Sequence, residues 1–363
     1  MIPAGPVVLR PLAPADAEAI VRACADPEIV RFLPLIPVPY TLDDALQYLE
    51  HTRQEWQGGG APFAIADAGT GEWLGNMGLM ARPRGMTEIG YLVAPWARGR
   101  GVATAAAAAL TRWGFGHGVK RVELFAGVEN LASQRVALAA GFHREGVRRG
   151  AEEQRDGTRR DLVAFARLPG DSGERVRPLL PGLPGGSLTD GMVRLRPLTA
   201  ADTADYLALR NLPDVVRYSV PSETATFEEV EERCRTAGAN WLAGTGAELV
   251  ILDAETGAFA GDIQLSGVIP LLGQAMTGYS VLPEFRGRGF AARAVDLLVG
   301  WAFEHTSLAR IIAGTSPGNI ASHRVLERAG FTREALLHGL LPGPGGTRLD
   351  DLQWYRLRGD ARN

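Results

Sequence analysis

Arg98-Gly99-Arg100-Gly101-Val102-Ala103 recurs as Arg286-Gly287-Arg288-Gly289-Phe290-Ala291, 188 positions further along the chain. Each copy follows a strand-like run, Gly90-Tyr91-Leu92-Val93 or Gly278-Tyr279-Ser280-Val281, and each leads into an Ala-rich stretch with helical composition. A strand, a glycine turn and a helix start in succession gather backbone N–H groups at the positive end of a helix, which suits phosphate oxygens. Glycine bends the turn and, having no Cβ, admits a close approach. Arg98, Arg100, Arg286 and Arg288 add positive charge, so a pyrophosphate suits the turn better than a carboxylate. A plain turn with solvated arginines would not be repeated with its flanks. An RGG-type RNA-binding tract needs low complexity, which is absent here.

The repeat runs through both halves. Leu9-Arg10-Pro11-Leu12 with Asp16 returns as Leu195-Arg196-Pro197-Leu198 with Asp202. Asn130-Leu131-Ala132-Ser133, followed by Ala140-Gly141-Phe142, returns as Asn319-Ile320-Ala321-Ser322 and Ala329-Gly330-Phe331. We therefore expect two homologous domains, residues 1–168 and 192–363. Between them lies a Pro/Gly-rich stretch, 169–191, without apolar periodicity, which reads as a linker or an ordered surface loop.

The 363 residues, 46% apolar and 22% charged, fit a globular chain of about two domains. A net charge of −3 argues against general nucleic-acid binding. Cys24 and Cys234 fall in opposite halves and can form neither a metal cluster nor a disulfide framework, so no metal is expected and a cytoplasmic setting is. The N-terminus lacks the pattern of a signal peptide, and no apolar run is long enough to span a membrane.

Periodicity and turn residues predict helices over 15–25, 42–56 (Thr41 as N-cap), 104–116 and 133–140, with strands over 7–10, 63–67, 73–80, 87–93, 121–128 and 161–168. The second half repeats this with helices over 204–210, 226–242, 291–304 and 322–328, and strands over 247–253, 258–267, 273–281, 310–315 and 349–357.

Arg-x-x-Gly-x-Ala after a Gly-Tyr strand, then Asn-x-x-Ser and Gly-Phe, resembles the GNAT superfamily of acyl-CoA-dependent N-acyltransferases, and most closely its RimJ/RimL group. The resemblance covers nearly all of both halves. It implies an α/β (α+β) fold of two tandem domains, each a mixed, mostly antiparallel, splayed sheet flanked by helices. It also implies acetyl-CoA, CoA or another pantetheine thioester as the cofactor, with the arm lying in the splay like an added strand. In the first half, Leu92, Val93, Arg98, Gly99, Arg100, Gly101, Val102, Ala103 and Thr104 would bind it. In the second, Ser280, Val281, Arg286, Gly287, Arg288, Gly289, Phe290, Ala291 and Ala292 would do so. Asn130 and Ser133, like Asn319 and Ser322, match positions facing the pantetheine or acyl end, and the asparagines equally suit helix capping.

Acyl transfer to an amine needs a proton acceptor, donors for the negative charge on the carbonyl oxygen, and a proton for the leaving thiolate. By resemblance Glu88 is the expected general base, amides around Leu92 or Val93 are the oxyanion donors, and Ser133 or water is a weak acid. The second half has Met276 in place of Glu88, so it either binds without strong catalysis or draws on Asp262, Glu248 or His323. Substrate selection in such proteins falls to two loops, here the apolar 31–40 and the basic 81–86. Arg82 and Arg84 at the rim would suit an acceptor bearing a carboxylate or phosphate, or an acidic carrier protein. The expected activity is transfer of an acyl group to a small-molecule amine or a peptide N-terminus. Two alternatives are transfer from an acyl carrier protein's pantetheine and a non-catalytic acyl-CoA sensor.

Overall fold

The computed structural model describes residues 1–360, with the side chain of Arg84 outside the described part. The described residues form two compact units that divide between Arg177 and Pro178. No described helix is long and apolar enough to cross a membrane.

In the first unit the order is β1 (Ile2–Ala4), β2 (Val7–Arg10), α1 (Ala17–Cys24), α2 (Pro27–Phe32), α3 (Leu42–Gln57), β3 (Ala61–Asp67), β4 (Trp73–Arg82), β5 (Met86–Val93), α4 (Val102–Gly116), β6 (Val122–Gly127), α5 (Leu131–Ala139), β7 (His143–Glu153) and β8 (Arg159–Arg167). The strands form one sheet in the order β1-β2-β3-β4-β5-β6-β8-β7. Only the β5–β6 pair is parallel; every other pair is antiparallel. Helix α4 packs against β2, β4 and β5, and α1 and α3 pack together, with α3 against β3. Leu9, Ile65, Leu74, Met77, Leu110, Leu124 and Phe165 are fully buried between these layers.

The second unit repeats the plan with β9 (Leu188–Thr189), β10 (Val193–Pro197), α6 (Thr203–Arg210), α7 (Pro213–Tyr218), α8 (Phe227–Ala243), β11 (Ala247–Asp253), β12 (Phe259–Ile269), β13 (Gln274–Val281), α9 (Phe290–His305), β14 (Arg310–Thr315), α10 (Ile320–Arg328), β15 (Thr332–Pro342) and β16 (Arg348–Leu357). Its sheet runs β9-β10-β11-β12-β13-β14-β16-β15, again with one parallel pair, β13–β14. Two apolar clusters flank it. One gathers Val295, Leu298 and Val299 of α9 against Leu249, Ile263 and Leu265. The other gathers Tyr206, Leu209, Val230 and Cys234 against Val250 and Leu252.

Local chemistry explains the starts of these elements. Thr41 caps α3, accepting from the Asp44 amide, while Asp44 Oδ2 accepts from the Thr41 amide at 2.8 Å. The repeated Leu-Arg-Pro-Leu…Asp signature is a bidentate ion pair. Arg10 grips buried Asp16 at 2.8 and 2.7 Å, and Arg196 grips Asp202 at 2.8 and 2.6 Å, tying the early strand to the helix that follows.

The Pro/Gly-rich stretch is an ordered part of both units. The Val176 amide bonds Leu138 O at 2.9 Å, Leu180 and Leu183 are buried in the second unit's core, and β9 adds to the sheet edge. Chain reversals by Pro and Gly hide the two inward-facing leucines from a periodicity search.

Candidate functional site

Each sheet opens at its parallel pair. The β4–β5 ladder runs unbroken from Arg82↔Met86 to Gly75↔Val93, whereas β5 meets β6 only at Thr87↔Val122 and Glu88↔Glu123. From Ile89 to Val93, therefore, β5 keeps a strand on one side and none on the other. In the second unit β13 leaves β14 after Met276↔Ile312 while staying paired to β12 as far as Gly261↔Val281. Both wedges depend on a glycine that the sequence reading did not single out. A Cβ on Gly75 would sit 2.4 Å from Leu92 O, and one on Gly261 would sit 2.1 Å from Ser280 O. The bent strand presses its carbonyl onto its neighbour's Cα, and only glycine leaves room.

The wedge leads to the repeated turn. Gly99 and Gly101 have φ of +74°, Gly287 +73° and Gly289 +86°, a region that other residues enter with strain. Gly101 and Gly289 are also the N-caps of α4 and α9, and a glycine cap brings no side-chain acceptor. The amides of Val102, Ala103 and Thr104, and of Phe290, Ala291 and Ala292, are thus first-turn donors without an intrahelical acceptor. Nothing lies within 4 Å of a Cβ built on Gly99, Gly101 or Gly287. The side chains of Val102 and Phe290 point into the core, 3% and 1% exposed, and anchor each helix start. Such a cradle takes phosphate oxygens without rearrangement.

The turn arginines are not free charges. Arg98 binds Asp26 at 2.6 Å, Arg286 binds Asp214, and Arg100 and Arg288 face Asp67 and Asp253 at 3.4 and 3.6 Å. The pull on an anion therefore comes first from the amides and the helix end. These bridges are half-exposed, and such pairs contribute only about 0–1 kcal/mol, so a bound phosphate can draw the arginines over.

Across the wedge, Tyr91 Oη lies 2.7 Å from Ser133 Oγ, and Tyr279 Oη lies 2.8 Å from Ser322 Oγ. Asn130 and Asn319 act as caps, accepting from the amides of Ser133 at 3.0 Å and Ser322 at 3.1 Å, which fixes each serine toward its tyrosine. Burial pushes Tyr91 up to about 12 and raises Tyr279 as well. Glu88 is the last β5 residue in register with β6, at the apex of the wedge, and its Oε2 accepts from Arg82 Nε at 2.8 Å.

The sequence profile described as the acetyltransferase (GNAT) domain matches residues 7–143 and again 193–332. The chain belongs to the GNAT acetyltransferase family. It is 28% identical over 149 residues to YoaA, an uncharacterized N-acetyltransferase of Bacillus subtilis (strain 168), covering 41% of this chain and 84% of that protein. It is 39% identical over 84 residues to YjcK, a probable N-acetyltransferase of the same organism, covering 21% and 46%. Among solved structures, Mycobacterium smegmatis RimJ in complex with CoA-disulfide aligns with TM-score 0.44 and 24% identity, over 49% of this chain and 88% of that one. Spermidine N-acetyltransferase from Vibrio cholerae, in complex with CoA and spermine, aligns with TM-score 0.42 and 21% identity, over 47% and 98%.

The two GNAT domains differ on the sheet face carrying Glu88. In the first, Asn76, the cross-strand partner of Leu92, takes a hydrogen bond from Trp73 Nε1 at 2.8 Å. In the second GNAT domain that position is Asp262, partner of Ser280, 8% exposed and with Oδ1 buried and unpartnered. Burial pushes its carboxyl up to about 6, opposed by Arg233, Arg210 and the Ser280 hydroxyl. The other two candidates are engaged elsewhere: Glu248 accepts from Arg233 Nε at 2.8 Å, and His323 Nε2 lies 3.1 Å from Ser316 O with its ring against Trp354.

The two loops expected to select the acceptor also differ from expectation. Leu35 and Val38, read as part of an apolar floor, stand in solvent at 95% and 60% exposure, and Arg155 holds that loop by Leu33 O and Ile36 O. Arg82 bonds Glu88 and is not a free rim charge; the Arg84 side chain lies outside the described residues. Among the described residues no group of three or more His, Cys, Asp or Glu is placed to hold a metal.

Proposed function

We propose that this chain transfers an acetyl or other acyl group from acyl-CoA to a primary amine, on a small molecule or a peptide N-terminus, with the first GNAT domain catalytic. The observation that carries this reading is the position of Glu88. It stands where β5 and β6 part, with Ile89 to Val93 leading from it to the anion cradle. Extended, that run spans roughly 17 Å.

In the proposed reaction the amides of Gly99 to Thr104 hold the pyrophosphate, with Arg98 and Arg100 recruited from their aspartates. The open edge of β5 carries the pantetheine arm. Bound there, the thioester supplies an activated carbonyl. An amide at Leu92 or Val93 then faces the negative charge that develops on its oxygen. Glu88 takes the amine proton through Oε1, the oxygen Arg82 leaves free, directly or by one water. Ser133, backed by the Tyr91 phenol, gives a proton to the departing thiolate. The second GNAT domain presents an equivalent cradle and wedge, so it is assigned a second CoA. The two buried free thiols, Cys24 and Cys234, fit our placement in the cytoplasm. An amine screen with acetyl-CoA, read by mass, tests the assignment.

A further inference from the structure

We propose that the second GNAT domain is an active centre in its own right, with Asp262 of β12 as its proton acceptor, working through the Ser280 hydroxyl of β13. The inference rests on the CoA reading of the same wedge.

Met276 occupies the place of Glu88 and cannot take a proton. On the neighbouring strand the exchange is reversed. In the first GNAT domain Glu88 on β5 lies opposite Met80, and a neutral Asn76 stands four residues along β4, opposite Leu92; in the second, Met276 on β13 lies opposite Ser266, and an ionisable Asp262 stands four residues along β12, opposite Ser280. The carboxylate thus sits one strand over and four residues further along the same sheet face, toward the anion cradle. Asn76 has its hydrogen bond from Trp73. Asp262 Oδ1, in contrast, has no protein donor although it is buried, a state that a purely structural carboxylate avoids.

Directly across the ladder on the wedge strand stands Ser280, whose hydroxyl favours the ionised carboxylate. Ser280 lies beyond the last β13–β14 pair and is part-exposed, on the open edge where the thioester carbonyl is expected. Directly opposed residues of antiparallel strands have Cβ atoms about 5 Å apart, so one hydroxyl spans from the carboxylate to the reacting nitrogen. The surrounding groups tune the acid without satisfying Oδ1. Tyr206 and Arg210 approach from α6, Arg233 from α8 and Glu248 from β11, and Arg233 is committed to Glu248 and Gln264. Burial outweighs both arginines and leaves the carboxyl at about 6, poised for proton transfer near neutral pH.

The step balances as follows. The amine nitrogen attacks the thioester carbon, the C–N bond forms and the C–S bond breaks. One N–H proton passes to Ser280 Oγ as Ser280 yields its own to Asp262. The thiolate takes a proton from the Ser322–Tyr279 pair, which solvent refills, and Asp262 returns its proton to solvent.

The test uses the full chain in a Glu88→Gln background, with acetyl-CoA and phenethylamine as probes. Thiol release should persist and rise with pH through a midpoint near 6. Adding Asp262→Asn should lower it by about 100-fold or more and abolish that pH dependence, while calorimetry still finds two CoA sites. In the CoA-free protein, carbon-13 carboxyl spectra should contain an aspartate titrating near 6 that Asp262→Asn deletes. Ser280→Ala should lower the same turnover by about 10-fold or more. A Glu88→Gln chain that binds two CoA yet releases no thiol above background overturns the proposal, as does turnover indifferent to Asp262→Asn. Should Asp262→Asn not fold, Ser280→Ala decides: a loss supports the relay and unchanged turnover overturns it. The reading of the first domain fails differently, when Asp262→Asn and the Glu88→Gln/Asp262→Asn double variant turn over alike.

Discussion

Tyr91 holds its phenol oxygen 2.7 Å from the hydroxyl of Ser133, joining the wedge-lining strand to the helix across it. Ser133 is fixed from behind by Asn130 and from the front by Tyr91, whose phenol stays protonated through neutral pH because burial pushes it up to about 12. A serine alone is a poor acid; a serine hydrogen-bonded to a protonated phenol has a proton source behind it. Tyr91→Phe should therefore lower turnover by about 10- to 100-fold with CoA affinity nearly unchanged. Adding Ser133→Ala to it should cost little more, because the two act as a unit. Steady-state rates on the single and double variants, with calorimetric CoA binding, check this.

Gly75 and Gly261 keep the wedges open, because a Cβ would meet the facing carbonyl oxygen at 2.4 and 2.1 Å. Gly75→Ala and Gly261→Ala should each destabilise their domain by about 1–3 kcal/mol. Each should also remove one of two CoA sites. Thermal unfolding and CoA titration on the two variants test both effects.

The cradles should respond independently. Gly101→Glu and Gly289→Glu place a side chain at φ of +74° and +86° and a carboxylate where phosphate oxygens are expected, at a strain of roughly 1–2 kcal/mol. Made singly, each should cut CoA stoichiometry from two to one. Calorimetry that finds two sites in either variant would contradict the placement of that pyrophosphate.

Asp262 should reduce stability at neutral pH. Its folded-state carboxyl lies at about 6 against 3.8 for an ordinary aspartate, so between those values the folded chain holds a proton the unfolded chain has lost. Stability then falls as pH rises through that window, by about 3 kcal/mol in total. Asp262→Asn should be more stable than wild type above about pH 6, with the difference shrinking below about pH 4. Urea unfolding of both proteins at the two ends reads the effect; a variant less stable at neutral pH would mean that Asp262 is a structural partner of Arg233 and Arg210.

What the sequence disclosed follows from distance along the chain. The turns, the Asn-x-x-Ser caps and the strands before them are local patterns, and the second copy doubles the signal. The edge strand β7 escaped because His143–Glu153 is largely charged, leaving no apolar alternation to find. The short helices α2 and α7, six residues each, carry too few turns for a helical period. Contacts that exist only once strands are in register were equally hidden: Gly75 under Leu92, Tyr91 against Ser133, Asp262 beside Ser280. Asp262 was one of three candidates in the sequence, and burial with an unpartnered oxygen is what separates it from Glu248 and His323.

The most direct test of the account is mass-resolved acyl transfer from acetyl-CoA to a panel of primary amines and free N-terminal peptides, run with wild type, Asp262→Asn and the Glu88→Gln/Asp262→Asn double variant side by side. The account predicts an acetylated amine with wild type, and on adding Glu88→Gln to Asp262→Asn a loss of first-domain turnover of about 100-fold or more with two CoA still bound. Equal product from Asp262→Asn and from the Glu88→Gln/Asp262→Asn double variant, or no acetylated amine from wild type, would contradict it.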